Sequence, residues 1–299
     1  MICCFYSDHF VLPLPDGHQF PMDKYRRLRE RVAGWPVLTF RLHEAPLASE
    51  EALRAVHSPA YVDQVFDGSL PDAMQRRIGF PWSPRMVERA RRSVGATLSA
   101  ASRAMQCGAG VNLAGGTHHA HAERGGGYCV FNDLAVTARD LLDHGGLERI
   151  AVVDLDVHHG DGTASIFADE PRVFTFSMHG ERNYPAVKPP GDLDIGLPKG
   201  TGDEAYLAAL APALERIFEE FRPQLVLYQA GADPYREDRL GFLDLSFAGL
   251  ARRDRLVFSH CQRQRVPVVI TMGGGYARNI DDIVRIHANT IWLARSLVD

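Results

Sequence analysis

Residues 150–163 read IAVVDLDVHHGDGT, and the fold turns on how that stretch divides. Ile150–Leu155 is apolar apart from Asp154, and a continuous run of this kind predicts a strand covered on both faces. The polar cluster Asp156-Val157-His158-His159-Gly160-Asp161 then falls where the strand ends. The same pairing of run and cluster recurs. Val111–Ala114 precedes Gly115-Gly116-Thr117-His118-His119, Leu225–Gln229 precedes Ala230-Gly231-Ala232-Asp233, and Val266–Met272 precedes Gly273-Gly274-Gly275-Tyr276. Further strands are expected at Ile2–Tyr6 and Val173–Ser177. Parallel sheets bind ligands beyond the carboxyl ends of their strands, so parallel strands would bring all four clusters to one edge.

Helical stretches lie between these runs. Ser83 and Pro84 cap and open a helix over Arg85–Cys107 that Gly108 closes. Asn132 caps another through Leu142, stopped by Gly145 and Gly146. Asp203–Phe221, with Pro212 as a kink, and Ser246–Gln264 follow, and a last helix starts after Asn279. The alternation predicts an α/β fold: a single-domain, open, mostly parallel β-sheet flanked by helices over residues 1–299.

Composition narrows the function classes. The chain has 299 residues, 45% of them hydrophobic and 23% charged, as in a folded rather than a disordered protein. Net charge is −4, and of 33 basic residues only Lys24, Lys188 and Lys199 are lysines. Acidic residues outnumber basic ones and no basic tail appears, so a nucleic-acid partner is not expected. The five cysteines, odd in number and without a CxxC pair, are expected to be free thiols of a reducing compartment. The opening MICCFYSDHFVLPLP lacks a basic n-region and is broken by Ser7, Asp8 and His9, which does not fit a secretory signal. No apolar run approaches the roughly 20 residues of a membrane span. The expectation is a soluble, cytoplasmic protein with no membrane partner.

The cluster after residue 155 has metal-ligand spacing. At the end of an extended strand Asp156 and His158, two apart, point the same way. Asp233 completes a set of two carboxylates and one imidazole that leaves a coordination position open, as catalytic zinc requires. The oxygen-rich set also suits Fe²⁺, Co²⁺ or Mn²⁺. The competing reading, two helix-capping aspartates and a core histidine, is the lesser one for this cluster alone, and convergence with the other clusters weakens it further. His118 and His119 can supply a general base and a second charged group. Imidazoles in that role need carboxylates to fix their tautomers, and Asp154 and Asp161 are spare. His121 is left without a partner and is read as solvated. Tyr276, after three glycines, can bring a phenol to a developing oxyanion, whereas Gly125-Gly126-Gly127-Tyr128 is a weaker instance of the same pattern.

Taken in order, GGTHHAHAERGGGYCVFND, DLDVHHGDGT, AGADP and GGGY resemble the histone deacetylase family of zinc amidohydrolases, from the first strand past Tyr276. PLPDGHQFPMDKYRRLRE and PPGDLDIGLPKGTGDEAY are similar to its compact class IV-like and bacterial members. The resemblance implies an arginase/deacetylase fold with Zn²⁺, or Fe²⁺ or Co²⁺, held by Asp156, His158 and Asp233. It implies that Asp154 backs His118, Asp161 backs His119, and Tyr276 polarises the substrate carbonyl. Gly127 and Tyr128 would line an acyl-lysine tunnel, with Tyr184 as the opposing aromatic. The family usually has Phe where Tyr128 stands, so this tunnel is expected to be more polar. A structural K⁺ or Na⁺ would lie near Asp154, Asp156, His158, Ser177 and Met178.

The implied reaction removes acetyl or other acyl groups from lysine side chains. A metal-activated water attacks, His119 takes its proton and later returns one to the leaving amine, and Tyr276 steadies the oxyanion. The expected partner is an acylated lysine peptide or protein, and an oligomer is left open. An acetylpolyamine or other small acylamide is the alternative substrate, since Glu181, Asp192, Asp194, Glu237 and Asp238 lie in loops after strands where carboxylates could meet ammonium groups. Against it, the chain lacks the insertion that narrows the entrance in polyamine-cleaving relatives. A binuclear ureohydrolase would need more bridging carboxylates than AGADP offers. A non-catalytic reader would not need both histidines, both backing carboxylates and Tyr276.

Overall fold

A computed structural model describes residues 1–9, 12–15 and 17–298; Asp16 of the PLPDGHQF stretch and Phe10 and Val11 of the N-terminal stretch fall outside the described residues. Among the described residues, eight strands form one open sheet: β1 (Ile2–Tyr6), β2 (Phe40–Glu44), β3 (Ala109–Asn112), β4 (Ile150–Asp154), β5 (Val173–Gly180), β6 (Leu193–Leu197), β7 (Leu225–Gln229) and β8 (Val268–Thr271). Their order is β2-β1-β3-β8-β7-β4-β5-β6, and every pairing is parallel. The helices are α1 (Lys24–Ala33), α2 (Glu50–Arg54), α3 (Pro59–Asp67), α4 (Asp72–Ile78), α5 (Pro84–Cys107), α6 (Asp133–Asp143), α7 (Asp161–Ile166), α8 (Asp203–Arg216), α9 (Phe247–Gln264) and α10 (Ile280–Leu293).

The strand runs do not alternate because both faces are covered. Along β4, Ala151 and Val153 join the core with Leu28 of α1, Leu210 of α8, Val257 of α9 and Ile286 of α10. Ile150 and Val152 point the other way, into a core with Ala100 of α5 and Leu134 and Leu141 of α6. Successive side chains thus leave the sheet on opposite faces, and each finds an apolar layer. A third cluster, including Tyr61, Val65, Ile78, Phe80 and Phe131, reaches Tyr276 and braces the site from the α3–α4 side. No described helix is long and apolar enough to cross a membrane.

The expected caps form. Side chains of Ser83, Asn132, Ser246 and Asn279 each accept a backbone N–H in the first turn of α5, α6, α9 and α10. Several elements differ from expectation: β4 stops at Asp154, β5 runs on to Gly180 and β8 is confined to Val268–Thr271. β3 begins and ends two residues before Val111–Ala114, because Gly108 turns α5 directly into pairing and Asn112 Oδ1 then captures the Ala114 N–H at 2.9 Å. The helix expected over Asp203–Phe221 runs through Pro212 to Arg216 and finishes as a π-helical turn over Ile217–Phe221. The edge strands β2 and β6 carry no continuous apolar run; β6 alternates between more and less exposed positions, as a strand at the rim of a sheet does.

Candidate active site

β3, β8, β7 and β4 are consecutive neighbours at the centre of the sheet. Their last residues, Asn112, Thr271, Gln229 and Asp154, pair in register, so the chain leaves all four strands at one level. The four loops that follow overhang a cavity of about 930 Å³.

Asp156 and His158 lie past the end of β4, in a turn, and not on an extended strand as their spacing suggested. Asp154 Oδ1 accepts the Asp156 N–H at 3.1 Å and Asp156 Oδ1 accepts the His158 N–H at 3.0 Å, which curls the backbone back on itself. This turn, rather than strand alternation, brings the two side chains together. His158 Nδ1 sits 2.9 Å from Asp156 Oδ1 and 3.2 Å from Asp233 Oδ2. Donors at zinc-ligand distance around one ion stand about 3.3 Å apart, so the spacing fits. Asp233 Oδ2 is buried with no well-aligned hydrogen bond, and a Cβ on Gly274 would collide with Asp233 and Asp156 alike. The donor set and the space left beside it suit a divalent cation.

The electrostatics agree. Burial opposes charge on His158, but the two carboxylates outweigh it and lift the imidazole to about 10. Burial, with Asp156 close by, raises Asp233, whereas His158 helps to hold Asp156 low despite burial. A proton is thus held among three donors where a metal could replace it.

Two imidazole–carboxylate pairs stand beside the cluster. His118 Nδ1 is 2.6 Å from Asp154 Oδ2, and His119 Nδ1 is 2.6 Å from Asp161 Oδ1. Each Nδ1 donates to its carboxylate, which leaves Nε2 free. Burial alone would strip His118 of its proton, but Asp154 lifts it to about 9. Burial and the neighbouring His118 push His119 down to about 3, against the pull of Asp161. One ring is therefore charged and the other neutral at pH 7. His121 is not solvated, contrary to expectation. It is buried, and its Nε2 lies 2.9 Å from Asp161 Oδ2, so that carboxylate is gripped from both sides.

Tyr276 is buried, and burial raises its pKa well above the ordinary value, so the phenol keeps its proton as a donor. Its ring centroid lies 6.4 Å from that of His158 and 6.0 Å from that of Tyr128. Gly127, at φ +52, and Tyr128, at φ +65, line the cavity. Tyr184 faces His119 edge-on at 4.8 Å. Ser177 pairs in register with Asp154, with Met178 following it along β5; the Ser177 hydroxyl is 3.0 Å from His179 Nδ1. Of the five candidate carboxylates, Asp192 accepts from Thr175, Asp194 lies on strand β6 rather than in a loop and meets His159, and Asp238 accepts the Tyr276 N–H at 2.6 Å. Neither these three nor Glu181 or Glu237 lines the cavity.

Sequence reasoning missed Lys24 and cast Asp238 as a carboxylate for ammonium groups, whereas it accepts the N–H of Tyr276. Lys24 is buried against the Tyr276 ring and donates to the Gly274 carbonyl, which pins the loop carrying Tyr276. A signal existed, since Lys24 shares the i, i+4, i+8 face of α1 with Leu28 and Val32, an odd place for a charge. Nothing local marks Asp238.

A family model for the histone deacetylase domain matches residues 18–291. Histone deacetylase 2 of Arabidopsis thaliana is 30% identical over 272 residues, covering 88% of this chain and 70% of its own. An uncharacterized protein of Picosynechococcus sp. is 45% identical over 284 residues, 95% of each chain. Among solved structures, an HDAC homolog from Aquifex aeolicus superposes with a TM-score of 0.82 at 25% identity, covering 99% of this chain and 83% of that one. An HDAC homolog complexed with SAHA gives 0.83 at 25% identity, covering 98% and 83%.

Proposed function

The chain belongs to the histone deacetylase family and is a deacetylase-type hydrolase, and from that premise we propose that it cleaves acetyl or other acyl groups from lysine side chains, as one catalytic domain over residues 1–299. One observation carries the proposal: two imidazoles, each on its own carboxylate, stand beside an Asp–His–Asp donor cluster in one cavity. A divalent metal, Zn²⁺ or alternatively Fe²⁺ or Co²⁺, held by Asp156, His158 and Asp233 would supply Lewis acidity toward the amide carbonyl and the attacking water.

The remaining work falls to this chain's own side chains. His119, neutral with a free Nε2, takes the proton of the water as it attacks. Asp161 holds the ring in place and steadies the charge it gains, a contribution on the order of 10²–10⁴-fold. His118, charged, offsets the negative charge that grows on the substrate, and the Tyr276 phenol donates to the same oxygen. His119 then passes its proton to the leaving lysine amine. Gly127, Tyr128 and Tyr184 form the walls along the apolar stem of the substrate. Asp154, Asp156, His158, Ser177 and Met178 would hold a K⁺ or Na⁺ behind the site. The five free cysteines suit a cytoplasmic setting.

The test incubates metal-loaded protein with a neutral acetyl-lysine peptide and, in parallel, with acetylputrescine and acetylspermidine. The proposal expects acetate release from the peptide at a higher kcat/KM than from either polyamine, and loss of bound metal in Asp156→Ala. Faster cleavage of a polyamine would sink the lysine assignment, and undiminished metal in the variant would sink the ligand assignment.

A further inference from the structure

The charge around the cavity mouth is one-sided. Arg76, Arg77, Arg124 and Arg182 line it, whereas the only carboxylates lining it among the described residues are Asp156 and Asp161. Both are committed, Asp156 to His158 and Asp161 to His119 and His121. The excess does not follow from composition, because the chain as a whole carries −4.

The arginines are built into the walls. Arg76 and Arg77 occupy the last turn of α4, where the Arg77 and Ile78 carbonyls accept the N–H groups of Gly127 and Tyr128 at 3.1 and 2.8 Å. That helix end is thereby tied to the tunnel lining. Arg182 sits in the loop of Tyr184, anchored by buried Asn183, whose Nδ2 donates to the Leu240 carbonyl at 2.7 Å. Lys188 pins the same loop through the carbonyls of Asn183 and Pro185 at 2.8 and 2.7 Å. Arg124 also lines the cavity and leads into Gly125 and Gly126, the latter facing Arg77 and Tyr184. Among the described residues, two of the four have an acidic neighbour, and only at long range: Asp72 is 3.9 Å from Arg76 and Glu181 3.8 Å from Arg182. Both pairs are largely exposed, so neither neutralises the rim.

Resting on the deacetylase reading above, we infer that the preferred substrate is an anionic acylamide, with carboxylates a short distance from the scissile amide. Guanidinium groups on three separate segments can take carboxylates in fork-like pairs. The same field raises the local concentration of anions and repels lysine-rich tails and polyamines. Two sources share this chemistry: an acyl-lysine flanked by Asp and Glu in a peptide, and a small acylamide with its own carboxylate.

The experiment measures kcat/KM of the metal-loaded protein on three acetyl-lysine peptides of equal length, flanked by acidic, neutral or basic residues. A second arm compares 6-acetamidohexanoate with its uncharged amide. At low ionic strength the acidic peptide, or the hexanoate, should exceed its neutral counterpart by about tenfold, with the basic peptide slowest. Salt at about 1 M, where the screening length is about 3 Å, should erase most of the difference. The arm with the larger advantage identifies the source. In the R76Q/R77Q/R182Q variant the acidic-to-neutral ratio should fall to within about twofold. A basic peptide cleaved as fast as the acidic one, or a ratio unchanged in the variant, would overturn the inference while leaving deacetylation intact. If the neutral peptide and all the others go uncleaved, the deacetylase reading fails and this inference falls with it.

Discussion

Replacing Gly127 with alanine sets a methyl group against His119. Gly127 is at φ +52, in the left-handed region that costs an L-residue about 1–2 kcal/mol. The added Cβ would stand 2.5 Å from His119 Cδ2 and 3.1 Å from Cγ. Carbon atoms in ordinary contact lie about 3.5–4.0 Å apart, so the imidazole must retreat by roughly 1 Å. Asp161 holds the far side of the ring at 2.6 Å, and the retreat disturbs that bond. A misplacement of about 1 Å at a reacting group costs about 10²-fold. For Gly127→Ala, kcat on an acetyl-lysine peptide should therefore fall about 100-fold, with KM within about threefold. Backbone strain of this size should lower Tm by several degrees, about 2–4 °C per kcal/mol in a chain approaching this length. Gly127 is not among the proposed metal donors, so elemental analysis should find the parent metal content. A kcat within threefold of the parent, at parent metal content, would refute the placement of His119 at the reacting atoms.

Three further outcomes are expected. Tyr276→Phe should keep fold and metal and lose on the order of 10²–10³ in kcat, as for other lost oxyanion donors; a loss under about threefold would remove the phenol from the reaction. His119→Ala should lower kcat at least as far as Tyr276→Phe does, and His118→Ala should be no worse than His119→Ala; a far greater loss in His118→Ala would reverse the two roles. Because the two carboxylates lift His158 to about 10, the metal-free protein holds that proton below pH 10 and must give it up to ligate. Metal uptake at pH 7–8 should therefore release about one proton, with affinity rising with pH; calorimetry in buffers of differing ionisation heat reads this, and no proton release would contradict it.

The strands that carry chemistry were legible because each couples a continuous apolar run to a polar, glycine-rich end, and both features are local. β2 and β6 were not, since an edge strand needs only one buried face. Lys24 and Asp238 hold the loop of Tyr276 from positions 252 and 38 residues away in the chain, and no spacing rule spans such distances. His121 was misread for a related reason. A third histidine after a tandem pair looks superfluous until Asp161 is seen to have a second oxygen to satisfy. The arginine rim is assembled from three segments that are unremarkable singly in a chain where nearly all basic residues are arginine.

Sheet order explains a detail that chain order leaves arbitrary, the paired glycines ahead of His118. The histidine pair follows β3, whereas its carboxylates are the last residue of β4, Asp154, and Asp161 just beyond it, yet β8 and β7 stand between those strands. Three inter-strand steps separate the end of β3 from that of β4, about 14 Å. The six residues from Asn112 to His118 can reach roughly 20 Å when extended, which suffices only if the chain runs directly over the ends of β8 and β7. It does so with Gly115 and Gly116 at φ +78 and +69. A Cβ on Gly116 would lie 3.0 Å from both Gln229 Cδ, at the end of β7, and Gly273 Cα, just beyond β8. Asp133 fixes the crossing by accepting the N–H groups of Gly116 and Thr117 at 3.0 and 2.7 Å. The glycines are therefore what lets a segment from β3 lie flat across two strand ends and deliver an imidazole to the last residue of β4.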